Sequence, residues 1–149
     1  MVQEETPATY QALQAQLKRM SLTYLPMVGN KDDREMMKTA LDVPDDCLDG
    51  FVRYSAQIDQ GVILCLDTQK VGSAAGELCP ARMFWIKTAL ESAGERAVYI
   101  FMHHPPMELD LPAQDEICLE QGRKAPNVPQ VDRRIFPGYP KPTAPPDLP

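Results

Sequence analysis

Val98-Tyr99-Ile100-Phe101-Met102-His103-His104-Pro105-Pro106 constrains the chain more than any other stretch. Five apolar or aromatic residues in a row predict a strand buried on both faces. Pro105 and Pro106 cannot continue a hydrogen-bonded ladder, so the chain must leave the sheet directly after the two imidazoles. Both histidines of the sequence sit here. Ligands of α/β proteins bind beyond the carboxyl ends of strands, which makes this end the first place to look for chemistry. The plain alternative is one histidine capping the strand and one in solvent. A second stretch weighs against it: Gly29-Asn30-Lys31-Asp32-Asp33, which also follows a short apolar run.

The rest of the chain supplies alternating elements. Thr6-Pro7 starts a helix, with Thr as cap and Pro in the first helical position, and Tyr10, Leu13, Leu17 and Met20 form its apolar stripe. Leu22 to Val28 reads as a short strand whose Pro26 suits an edge or a bulge. A short helix follows through Arg34, Met36, Met37, Ala40 and Leu41 and stops at Asp42-Val43-Pro44. Gly50 to Ile58 and Gly61 to Leu66 read as a hairpin turning at Asp59-Gln60-Gly61. Asp67 to Glu77 is a loop, and Pro80 opens a helix with Met83, Ile86, Leu90 and Ala93 inward and Gly94 as its stop. Ala113 to Gln121 is expected to be a further helix started by Pro112. This alternation is the pattern of an α/β domain, expected over residues 1–122. Of the fifteen prolines, eight lie beyond Gly122, so residues 123–149 are expected to be extended or disordered, with a proline-rich docking ligand as the alternative.

The net charge of −6 argues against a nucleic-acid surface, which needs clustered Lys and Arg. No apolar run approaches the roughly 20 residues of a membrane helix. Met1-Val2-Gln3-Glu4-Glu5 is acidic and polar, unlike a signal peptide. Cys47, Cys65, Cys79 and Cys118 are scattered without a CxxC pair, most simply reduced thiols of a cytoplasmic protein.

Gly29-Asn30-Lys31-Asp32 and Phe101-Met102-His103-His104-Pro105-Pro106, in this order and with Leu64-Cys65-Leu66-Asp67-Thr68 and the helix around Phe84-Trp85-Ile86 between them, resemble the calcineurin-like metallophosphoesterases. The nearest branch is that of cyclic-nucleotide and glycerophosphodiester phosphodiesterases, and the likeness runs from Glu5 to Gln121. The resemblance implies part of a four-layer α/β/β/α sandwich with two divalent ions (Mn, Fe or Zn) at its strand ends, acting on a small phosphodiester such as 3',5'-cyclic AMP through a metal-activated hydroxide. Carried over residue by residue, Asn30 and His103 would be ligands of one metal. Asp32 would orient the residue before it, Lys31 stands where the family has a histidine acting on the phosphate, and His104 would lie behind the ligands or face substrate.

Departures from the family pattern shape the expectation. Its opening Asp-x-His strand and bridging Gly-Asp pair have no counterpart, and Met1 to Glu5 looks like the stretch following that pair. Near the end, Tyr139 and Lys141 would replace two metal-binding imidazoles, and a lysine ammonium has no lone pair to offer. The sequence therefore reads as a truncated or degenerate member with weakly held metal, inactive by itself. Two alternatives stand beside it: half of a split enzyme whose partner chain brings the missing strands, or a non-catalytic anion-binding or scaffolding module using Lys31.

Overall fold

The computed structural model describes residues 6–21, 23–44 and 49–123. Cys47 and the expectations for 124–149, including Tyr139, Lys141 and the extended tail, lie outside these residues.

Helix α1 (Pro7–Met20) begins where its capping chemistry places it: Thr6 accepts a hydrogen bond from the Thr9 N–H at 3.2 Å, with Pro7 in the first turn. Tyr10, Leu13 and Leu17 pack with Val28, Met37, Leu41 and Val52 into one apolar cluster. Met20, expected in the same stripe, is exposed because the helix has passed the edge of that cluster. Thr6→Ala should cost about 1 kcal/mol, read as a shift of the urea midpoint at unchanged slope.

The run before Gly29 is not a strand: residues 23–29 join no ladder. Pro26 has no N–H to donate, and its carbonyl takes the Tyr54 hydroxyl at 2.7 Å instead of a neighbouring backbone. Helix α2 (Arg34–Ala40) follows, capped by the Asp33 carboxylate on the Met36 N–H at 2.7 Å.

Strands β1 (Tyr54–Ile58) and β2 (Gly61–Leu66) form the expected hairpin, antiparallel with Ile58 opposite Gly61. β2 then pairs in parallel with β3 (Val98–Met102), Leu66 opposite Met102. The crossover between them is helix α3 (Pro80–Ala93), as a parallel connection requires. Ile86 and Ala93 bury against Val62, Leu64 and Leu66, with Met83, Leu90, Val98, Ile100 and Met102 packed around them. The described residues thus hold one mixed sheet of three strands, order β1-β2-β3, covered by α3 on one face. The class is α/β.

Two further expectations need correction. β3 is not buried on both faces: Tyr99 and Phe101 are 45% and 52% exposed while their neighbours turn toward α3. β3 ends the sheet among the described residues, and a run of apolar residues cannot by itself tell a two-faced strand from a one-faced one. Nor is there a helix over Ala113–Gln121. It shrinks to α4 (Pro112–Asp115) and a 3-10 turn (Glu120–Gly122). The Leu119 N–H is drawn to the Pro105 carbonyl and that of Glu120 to Gly76, both at 2.9 Å, and these bonds displace the helical ones. Among the described residues no helix is long and apolar enough to cross a membrane.

Candidate active site

The fold brings the two singled-out stretches together. Asn30 Oδ1 and His103 Nε2 lie 3.3 Å apart across 73 positions of sequence. Asn30 sits on the turn that leads into α2, and His103 is the first residue beyond β3. The approach is close at Gly29, where a Cβ would come within 3.3 Å of His103 Cε1 and 3.1 Å of Asp32 Oδ2 and would make these neighbours give way slightly. The imidazole lies against the bare backbone of the turn.

Asp32 is buried and holds the turn closed. Its Oδ2 accepts the Gly29 N–H at 2.7 Å and its Oδ1 accepts the Tyr10 hydroxyl at 3.0 Å. The Asp32 carbonyl in turn accepts Gln69 Nε2 at 2.5 Å, which ties the turn to the loop after β2. Lys31 is exposed and makes no hydrogen bond or ion pair among the described residues. The N-terminus of α2 beside it is already occupied by the Asp33 carboxylate.

Burial lowers the His103 pKa, partly opposed by the charge of Asp32, so its ring is neutral at pH 7 and keeps a lone pair. His104 lies edge-on to it, ring centroids 4.9 Å apart, and is turned into the protein at 1% exposure. There His104 Nδ1 meets Thr68 Oγ1 at 2.7 Å, while Nε2 has no hydrogen-bond partner among the described residues. Burial first, and the neighbouring His103 second, push its pKa down to about 4. Glycine is required opposite it, because a Cβ on Gly76 would fall 2.5 Å from His104 Cγ.

A divalent ion fits the Asn30–His103 pair. With the imidazole proton on Nδ1 both atoms are neutral Lewis bases, and two ligands about 2.1 Å from one ion stand roughly 3.0–3.4 Å apart at octahedral or tetrahedral angles, against the 3.3 Å seen. No group of three or more His, Cys, Asp and Glu side chains that could hold a metal occurs among the described residues. A cleft of about 360 Å³ opens beside Asn30, between Asp33, Arg34 and Glu35 on one side and Lys70, Val71 and Gly72 on the other.

Sequence reasoning missed the group that fixes this arrangement from below. Asp67, the residue after β2, has a fully buried carboxylate that receives Arg34 in a two-pronged pair at 2.6 and 2.9 Å and the backbone N–H groups of Val52 and Gln69 at 3.0 Å each. Arg82 lies 3.6 Å from the same carboxylate and donates to the Asp67 and Gln69 carbonyls. Both guanidinium groups also stack on Phe51, at 5.3 and 4.6 Å. An aspartate ending an apolar strand was the available signal.

No family model matches the chain. Similarity to curated proteins nevertheless points one way. Over 119 residues the chain is 34% identical to a protein of Rhodopseudomonas palustris described as a probable cyclic nucleotide phosphodiesterase, covering 77% of this chain and 43% of that protein. It is 28% identical over 121 residues to a glycerophosphodiester phosphodiesterase of Enterobacter lignolyticus, covering 79% and 44%. A protein of Arcobacter nitrofigilis, described as a probable glycerophosphodiester phosphodiesterase, is 25% identical over 121 residues. The relatives are phosphodiesterases by name. The chain spans under half the length of each.

Proposed function

We propose that the chain carries part of a metal-dependent phosphodiesterase site of the calcineurin-like kind, in which Asn30 Oδ1 and His103 Nε2 hold one divalent ion. The observation that carries this reading is their 3.3 Å approach, and the names of the relatives support the reaction class. When bound, such an ion lowers the pKa of a coordinated water and neutralises charge on phosphoryl oxygens.

The chain's own residues prepare the place. Asp32 keeps Asn30 aimed at His103 by closing the turn, and His104, anchored on Thr68, packs behind the His103 ring. Lys31, exposed on the same turn, is the cation available to a phosphate oxygen. The substrate is a small phosphodiester, either a cyclic nucleotide or a glycerophosphodiester, reaching the ion past the cleft beside Asn30. Mn, Fe and Zn all suit an amide oxygen with an imidazole nitrogen, and two such donors hold any of them weakly. Full activity calls for further ligands beyond these two, since no group of three or more His, Cys, Asp and Glu side chains gathers here among the described residues.

The anion-binding alternative is weaker, because the Asp33 carboxylate sits where a phosphate would meet the first N–H groups of α2. The test is Mn²⁺-dependent hydrolysis of a generic aryl phosphodiester by the purified chain. At most trace turnover is expected, all of it abolished by His103→Ala. Turnover that survives in His103→Ala would contradict the assignment.

A further inference from the structure

We propose that Tyr10, on α1, is the positioning residue that holds Asn30 against His103. The inference deepens the reading of those two residues as a ligand pair and rests on it only for its consequence in metal binding. Periodicity accounts for Tyr10 as a core residue, and its ring does lie in the cluster with Val28, Met37 and Val52. Its hydroxyl does something else. It donates to Asp32 Oδ1 at 3.0 Å and accepts the Asp33 N–H at 2.9 Å, so one oxygen bridges the side chain of the turn and the backbone that follows it. The second oxygen of the same carboxylate takes the Gly29 N–H. Asn30 and Lys31 are thereby enclosed in a ring whose closure depends on the orientation of one carboxylate, and that orientation is set from a residue 22 positions upstream.

The direction of the hydrogen bond is fixed. Burial and the Asp32 charge both raise the phenol pKa, so the hydroxyl keeps its proton and gives it to Asp32, while the Asp33 N–H can only donate. Asp32 is itself buried, and no solvent stands ready to replace the missing donor. Without the hydroxyl, Oδ1 loses its partner, the carboxylate turns in search of another, and the Gly29 bond that shapes the Asn30 turn goes with it. A purely structural Tyr10 would tolerate the loss, because Phe keeps the ring.

The experiment follows the His103 ring by long-range ¹H–¹⁵N NMR in the full 149-residue chain, free of metal and with the ring neutral. Asn30 Oδ1 can only accept, so in the wild type His103 should be predominantly the Nε2–H tautomer. Tyr10→Phe should lose that preference, and Asp32→Asn should lose it as well, which keeps the test alive if either variant folds poorly. Leu17→Ala, which thins the same apolar cluster without touching the turn, should retain it. In a parallel Zn²⁺ titration, Tyr10→Phe should bind about 10- to 100-fold more weakly than wild type, and Leu17→Ala should match wild type. A Tyr10→Phe ring with the wild-type tautomer, or a Leu17→Ala ring disturbed as much, would overturn the proposal. A tautomer change confined to Tyr10→Phe and Asp32→Asn with no Zn²⁺ bound by any form would uphold the positioning role and sink the metal reading.

Discussion

Asp67→Asn is expected to destabilise the protein by about 3–5 kcal/mol, the loss associated with removing one partner of a buried ion pair. The substitution keeps size and shape and leaves an acceptor oxygen, so it tests charge. Arg82 is buried and Arg34 nearly so, with side-chain exposures of 3% and 16%. With the carboxylate gone, two guanidinium groups stacked on Phe51 are left with backbone carbonyls and, for Arg82, Glu77 at 3.6 Å. Domains of this size are stable by about 5–15 kcal/mol, so the loss takes a large share of the total. The damage should also be coupled: adding Arg34→Met to Asp67→Asn should cost less than the two changes separately, because the second removes a cation the first has stranded. Urea unfolding of the four proteins reads both effects. A loss under about 1 kcal/mol for Asp67→Asn, the range of exposed pairs, would show that the network is open to water.

Acid should weaken the fold through His104, and the sign follows from its burial. Its pKa falls from 6.5 to about 4 in the folded protein. Between those values the unfolded chain takes up a proton that the folded one refuses, so stability is full above pH 6.5 and is lost as pH drops toward 4. The difference corresponds to a loss on the order of 3 kcal/mol once both limits are passed. Carboxylates titrate in part of this window, and His103 is shifted in the same direction, so the His104 share has to be taken by difference. His104→Gln keeps a hydrogen-bonding group near Thr68 and cannot ionise. Wild type should lose about 3 kcal/mol more than this variant between pH 7 and pH 4. Parallel stability curves for the two would mean that His104 takes its proton within the folded state.

Much of the architecture was legible in residues whose local chemistry has few outcomes. Thr6-Pro7 and Pro80 to Gly94 bracket the two long helices because caps and proline are decided within a turn of chain. Asp59-Gln60 turns the hairpin because Ile58 pairs with Gly61 and leaves two residues between them. The meeting of Asn30 and His103 followed from the family resemblance of the two stretches, not from the apolar runs before them. What could not be read depended on partners far away in sequence. Pro26 looks compatible with an edge strand until Tyr54 claims its carbonyl, and Ala113–Gln121 looks helical until Pro105 and Gly76 claim its N–H groups. Tyr10 fits an apolar stripe whether or not its hydroxyl has work, and Asp67 reads as a loop residue until Arg34 and Arg82 converge on it. Periodicity records which face of an element is buried. It does not record which polar atom a buried side chain will reach.

The central claim is that Asn30 and His103 bind the same ion, and Mn²⁺ affinity measured across a double-mutant cycle tests it most directly. If they share one ion, Asn30→Ala and His103→Ala should each remove most of the affinity, and the double variant should be little worse than either. Mn²⁺ binding to the wild-type chain that is unchanged by both substitutions, or reduced by each additively, would contradict the account.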